Sequence, residues 1–300
     1  MRSKPLDTII AEARALVNDG CFELNLIGQD TTSFGYDIGY ERGLVGLLES
    51  LDSVLAEAGG GWARLMYAYP TFFDDEMIDA IARLPNIVNY IDIPLQHASD
   101  SMLDKMRRNV RASDQQALIE KLRQRIPGMA IRTTFITGFP GETADDHAQL
   151  LDFIEAMQFD AMGVFQYSPE PGTPAGTMDR DSALHVPDEL KAERESELML
   201  LQQSIAFENA AYMAEQTAQL DVLVDEAIAA EDDDVAGVRL YRGRAFHQAP
   251  QVDSCTIIQS SATIAPGELI RCTIVGSEGY DLIAQPTEEL HRGFALPVVS

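Results

Sequence analysis

The chain has 300 residues, 46% of them hydrophobic, which gives room for one large α/β domain and a small one. No apolar run approaches the roughly 18 residues of a membrane span, and the opening MRSKPLDTII lacks the apolar core of a signal peptide. The net charge of −26, from 48 acids against 22 bases, opposes binding to a nucleic-acid backbone and is suited to solubility or to a basic protein partner. Three cysteines, Cys21, Cys255 and Cys272, are far apart and odd in number. They read as buried thiols in a reducing cytoplasm, with neither a disulfide framework nor metal-ligand spacing.

Ile9, Ala13, Leu16 and Val17 stripe a first helix, which precedes a strand at Glu23–Ile27. Leu44, Leu47, Leu48, Leu51 and Leu55 stripe a second helix, and apolar strands follow at Ala63–Ala68 and Tyr90–Ile93. Ser113 and Gln116 form a capping-box pattern before a helix carrying Leu118, Leu122 and Ile126. A β-branched strand at Ala130–Thr137 runs into Gly138-Phe139-Pro140-Gly141, and a helix opens at Thr143 with Asp146 three residues on. That strand, turn and capped helix form either a cradle for a phosphate or carboxylate or an ordinary βα loop. A fifth strand is expected at Ala161–Gln166. Spacings of this size suit βα crossovers rather than hairpins, so the expected fold is an open, TIM-like βα barrel. The chain opens on a helix, which predicts a barrel lacking its first strand.

A long helix is expected over Val186–Gln216. The pattern then changes to short alternating strands at Asp221–Ala227, Gly237–Ala245, Ser254–Gln259, Leu269–Val275 and Leu282–Gln285, with a turn at Glu231–Asp234. This predicts a small antiparallel five-stranded barrel of the oligonucleotide-binding kind. The expected domains are 1–218 and 219–287, with a loosely ordered tail at 288–300.

The ends of the first five strands are polar, and in a βα barrel those ends carry the chemistry. Gln29 and Asp30 either contact a ligand or tie down their loop. His97 is either a structural histidine or a general base. Arg132 is paired inside the barrel or aimed at an anion, and Glu142 at a helix start is a natural capper. No paired glycosidase carboxylates, nucleophile elbow or phosphate loop is present, and no catalytic or metal-binding residue is assigned.

The segments IGQDTTSFGYD (27–37), YAYPTFFDDEMIDAIA (67–82), YIDIPLQHASDSMLDKMRR (90–108), IRTTFITGFPGETADDH (131–147) and VFQYSPEPGTPAG (164–176), in this order, resemble the radical S-adenosylmethionine methylthiotransferases. The resemblance runs from Ser3 to about Pro286. Gln29 to Thr32, and Ala249 to Asp253 in the small barrel, resemble the branch that modifies an aspartate of ribosomal small-subunit protein twelve. The small barrel is similar to the TRAM domain.

The resemblance implies an S-adenosylmethionine site. Gln29 and Asp30 would lie near the methionine amine. Gln96, His97 and Arg132 would form a polar wall, Ile136 to Gly141 would pack against the adenine, and Gly138, Phe139, Pro140, Gly141 and Glu142 count among the cofactor-binding residues. It also implies sulfur insertion at the aspartate β-carbon through a 5′-deoxyadenosyl radical, with delivery of a methyl group. The family holds [4Fe–4S] clusters on cysteine motifs, including C-x-x-x-C-x-x-C, that Cys21, Cys255 and Cys272 do not match. The expectation is a C-terminal portion of such an enzyme, inactive alone. The alternatives are a non-catalytic fragment that binds the ribosomal protein and a transfer-RNA methylthiotransferase. Residues 221–300 carry 13 acids against 5 arginines, a net of −8, which favours a basic protein over nucleic acid.

Overall fold

A computed structural model describes residues 2–228 and 238–290. The expected turn at Glu231–Asp234 and most of the expected tail lie outside the described residues. In chain order the elements are α1 (Leu6–Asn18), β1 (Glu23–Leu26), α2 (Gly43–Glu57), β2 (Trp62–Leu65), α3 (Asp75–Arg83), β3 (Ile87–Gln96), α4 (Asp100–Lys105), α5 (Ala112–Arg125), β4 (Ala130–Thr137), α6 (Ala144–Met157), β5 (Ala161–Gln166), α7 (Pro174–Met178) and α8 (Asp188–Glu215). They continue with β6 (Gln219–Ile228), β7 (Arg239–Ala245), β8 (Thr256–Ser260), β9 (Leu269–Glu278), β10 (Asp281–Pro286) and a last turn, α9 (Thr287–Leu290). The chain divides into two compact units. The first holds the residues up to Asp19 and Glu23–Ile205, and the second holds Gly20–Phe22 and the chain from Ala206 onward.

In the first unit β1 to β5 form one sheet in sequential order, each pair parallel. Parallel neighbours need crossovers, and the intervening helices supply them. One face of the sheet is packed: Ile91, Ile93 and Leu95 of β3 are buried, and Phe135 of β4 meets Phe153 and Phe159 edge-on at 6.5 and 5.8 Å. The other face is polar. Arg64 of β2 is fully buried, donates to Glu23 at 2.7 Å and lies over the Tyr90 ring at 4.5 Å. Farther along, Arg132 of β4 donates to Asp92 of β3 at 2.9 Å. Charges at these depths persist because they are paired.

The start of α5 differs from the expected capping pattern at Ser113 and Gln116. The helix begins at Ala112, and Asp114 accepts from the Arg111 amide at 3.1 Å. An acidic side chain at the third helical position satisfies the first free amide, so the shorter reach decides the boundary. The expected box at α6 is present: Thr143 Oγ1 accepts from the Asp146 amide at 3.1 Å, and Asp146 accepts from the Thr143 amide at 2.9 Å.

In the second unit the strands close into a barrel in the order β10-β8-β7-β6-β9; the expected antiparallel pairing holds except between β10 and β8, which run parallel where the barrel closes. Val222, Val224, Tyr241, Ile258, Cys272, Ile274, Leu282 and Ala284 form its core. Closure leaves no free sheet edge. The buried Tyr241 hydroxyl is satisfied by donating to Ala262 O at 3.0 Å and accepting from the Ile264 amide at 3.1 Å. The Ala249–Asp253 segment is a loop of this barrel. Asp253 accepts from the Ala249 amide at 2.9 Å, and buried Gln248 accepts from the Ala245 amide at 2.9 Å.

Candidate functional site

A cavity of about 670 Å³ opens at the carboxyl ends of the five parallel strands. That volume lies in the range of small-molecule sites. Its walls combine polar groups (Gln29, Gln96, Arg108, Arg132, Thr134, Gln166) with rings (Tyr67, Tyr69, Phe139, Phe165, Tyr167). The strands deliver these residues because side chains two apart share a face: Arg132, Thr134 and Ile136 of β4 all line the cavity. Tyr67 and Gln96 follow or end β2 and β3 with left-handed backbones, φ 56° and 72°. Strained non-glycine residues of this kind persist only where surrounding structure over-determines them, and they concentrate at ligand sites.

Two guanidinium groups reach the cavity. Arg132 is held by Asp92, whereas Arg108, just beyond α4, stacks over the Tyr69 ring at 5.5 Å and, among the described residues, has no carboxylate within ion-pair distance. A stacked, uncompensated arginine in a polar cavity suits an anionic ligand group. The Tyr167 hydroxyl is also buried with no hydrogen-bond partner among the described residues, which leaves a second polar atom for a ligand.

Of the residues singled out from the sequence, Gln29, Gln96, Arg132 and Phe139 line the cavity; Asp30, His97, Gly138, Pro140, Gly141 and Glu142 do not. Asp30 folds into its own loop, where its carboxylate accepts from the Thr32 amide at 3.0 Å and from the hydroxyls of Thr32 and Ser33. His97 is fully buried behind the strand end, and its Nδ1 accepts from the amides of Ala98 and Ser99, each at 2.9 Å. Burial pushes its pKa down to about 4, so the ring is neutral with its proton on Nε2. Glu142 turns back under the glycine turn and accepts from the amides of Gly138 and Phe139. The expected anion cradle is therefore filled by the protein's own carboxylate.

Arg108 carries no local motif that marks it as a site residue. Its signal was a pair of arginines, Arg107-Arg108, in a strongly acidic chain, and only the fold shows that one of them turns inward. Tyr67, Tyr69, Gln166 and Tyr167 lie on strand ends that the sequence marks as polar, without indicating which side chain faces the mouth.

The thiols do not form a cluster site. Burial pushes Cys255 up to about 11 and Cys272 up to about 12, so both are protonated thiols near neutral pH. Among the described residues no group of three histidine, cysteine or acidic side chains is placed to hold a metal ion. Among the described residues the three thiols are not placed to hold an iron–sulfur cluster.

An open parallel βα sheet whose polar cavity sits at the strand carboxyl ends defines a ligand-binding α/β fold of the kind many enzymes use. The chain belongs to the radical SAM superfamily, whose family model matches residues 1–154, and a TRAM domain model matches residues 218–286. It is 41% identical over 300 residues to a protein of Anaeromyxobacter sp. (strain Fw109-5) named ribosomal protein uS12 methylthiotransferase RimO, covering 99% of this chain and 60% of that one. The protein of the same name from Trichlorobacter lovleyi is 39% identical over 288 residues, covering 96% and 61%. The chain thus spans about three fifths of the length of these relatives. Coproporphyrinogen III oxidase (HemN) from Escherichia coli, a radical SAM enzyme, shares the fold with a TM-score of 0.51 at 12% identity, covering 80% of this chain and 60% of that one. Among the described residues no helix is long and apolar enough to cross a membrane.

Proposed function

We propose that this chain comprises the adenosyl-binding barrel (1–218) and TRAM barrel (219–287) of a cytoplasmic methylthiotransferase acting on an aspartate of ribosomal protein uS12. The observation that carries the reading is the strand-end cavity, lined by Arg108, which stacks on Tyr69 and has no carboxylate partner among the described residues. Identity near 40% to the relatives of that name supports it.

S-adenosylmethionine presents a carboxylate, an ammonium, a ribose and an adenine. Arg108 suits the carboxylate. Gln29 and Gln96 offer amide oxygens and nitrogens to the ammonium and ribose. Phe139 and Ile136 give the cavity lining apolar surface suited to adenine. Arg132, neutralised by Asp92, sets a polar floor without adding net charge. Asp30, His97, Gly138, Pro140, Gly141 and Glu142 hold the loops that carry these contacts. Bound there, S-adenosylmethionine supplies an activated sulfonium whose methyl and 5′-carbon are the reactive positions. The chain's own residues bind it, orient it and exclude water. No redox step is assigned to them, because the three thiols do not fit a cluster.

That mismatch favours the second reading for this chain by itself, a unit that binds without turnover. Product formation by this chain alone would remove that part of the proposal.

The test is calorimetric titration with S-adenosylhomocysteine, which keeps the carboxylate and adenosyl groups. Wild type is expected to bind, and Arg108→Gln to bind at least about tenfold more weakly, the weight of one charge-assisted contact. Equal affinity in the variant removes the Arg108 assignment. No binding by wild type removes the adenosyl reading.

A further inference from the structure

The glycine turn between β4 and α6 is closed from behind by a buried carboxylate and a helix that enters the chain some fifty residues later. The Glu142 side chain is fully buried. It accepts from the Gly138 amide, from the Phe139 amide at 3.2 Å and from Thr137 Oγ1 at 3.4 Å. Its charge is met by Arg194 of α8, which lies 3.1 Å from Oε1 and also donates to the Glu142 carbonyl at 3.3 Å.

Lys191, one turn earlier on α8, packs its stem against Gly138, where φ is 72° and a Cβ would overlap the stem. Its ammonium lies 5.9 Å from the Tyr167 ring centre and 2.9 Å from Asp188. Lys105 of α4 donates to the Gly141 carbonyl at 2.8 Å. On the opposite side of the turn, Phe139 presents its ring to the cavity, edge-on to Tyr167 at 5.1 Å.

We infer that Arg194 is a positioning residue: by pairing with Glu142 it lets that carboxylate hold the Gly138 and Phe139 amides, and so sets the Phe139 wall of the ligand cavity. Arg194 touches no ligand position itself. A buried carboxylate that loses its cation must either protonate or leave the interior. Leaving the interior releases the two amides, and protonation costs free energy at neutral pH and leaves them a weaker, neutral acceptor, so either change loosens the turn. The wall that depends on the turn moves with it, and sub-ångström placement is what an orienting site needs. The link to ligand rests on the adenosyl reading above; the link between Arg194 and the turn does not.

Two measurements on the full chain test this. Amide hydrogen exchange across residues 137–143 reads the turn directly, and calorimetry with S-adenosylhomocysteine reads the cavity. In Arg194→Gln the turn is expected to exchange about tenfold faster, and the ligand to bind about tenfold more weakly. Arg194→Lys, which keeps the charge, should stay within about threefold of wild type in both. The double variant Glu142→Gln with Arg194→Gln carries a neutral acceptor and no buried charge, so it should recover most of the turn's protection relative to Arg194→Gln.

Wild-type exchange of the turn in Arg194→Gln overturns the inference. So does a double variant no better protected than Arg194→Gln, since the arginine would then act through bulk packing alone. A loosened turn with unchanged ligand affinity overturns the link to the cavity. If wild type binds no S-adenosylhomocysteine, the adenosyl reading fails, and the exchange data still decide the role of Arg194.

Discussion

His97 accepts two backbone amides on Nδ1 and is fully buried. Protonation would destroy that acceptor and place a charge in the interior. Desolvation pushes its folded pKa down to about 4 from the ordinary 6.5, so this group's contribution to stability is complete above pH 6.5 and is lost as pH falls through about 4. A shift of that size is worth up to about 3 kcal/mol. Urea unfolding of wild type should therefore lose stability between pH 7 and 4.5 more steeply than His97→Gln; parallel curves would show that His97 is not the group responsible. The sequence left His97 open between base and framework. Its partners are amides one and two residues on, and that choice depends on how β3 ends. Asp30 and Glu142 likewise face their own loops, where adjacent hydroxyls and amides satisfy their carboxylates. Arg108 is the reverse case, a residue without a local motif that the fold turns into the cavity.

At the scale of elements, local chemistry was a good guide wherever it was strong. The β-branched run Ala130–Thr137 and the run Ala161–Gln166 form strands with the expected bounds. The capping box at Thr143 is formed on both sides. Thr143→Ala removes the side-chain acceptor for the Asp146 amide and should cost about 1 kcal/mol. It would read as a lower urea midpoint at unchanged slope; an unchanged midpoint would mean the cap contributes nothing. Where partners across the sheet decide, the sequence was less legible. β3 extends over Ile87–Gln96, beyond the expected Tyr90–Ile93, because pairing with β4 reaches Gln96 across a shift in register. β2 stops at Leu65, short of Ala68, yet the Met66 and Ala68 amides still bond to Leu26 and Asp92 carbonyls at 3.1 and 2.8 Å. The chain there leaves ladder geometry and turns Tyr67 into the mouth.

At the scale of the whole chain, charge and the two units bear on the partner. Residues 221–300 carry a net of −8, and several of the arginines there are already used: Arg242 pairs with Glu226, Arg244 with Asp225, and Arg271 with Asp221. Little positive charge remains for phosphates. Binding to purified uS12 should therefore exceed binding to transfer RNA at 0.15 M salt, measured by anisotropy and filter retention on the full chain. Tight, salt-sensitive transfer-RNA binding with none to uS12 would reverse the choice of partner.

Alternation, β-branched runs and turn residues by themselves determined the five parallel strands, the five-stranded barrel and the polar strand ends, because period and local capping act within a few residues of sequence. The lack of cluster-ligand spacing among the cysteines was equally plain. Only the tertiary structure decided which polar residues face a ligand and which hold the frame. That choice depends on residues far apart in sequence: Asp92 neutralises Arg132, Tyr69 holds Arg108, and Arg194 reaches back to Glu142. A buried charge takes its role from the partner that compensates it, and the fold alone brings those partners together.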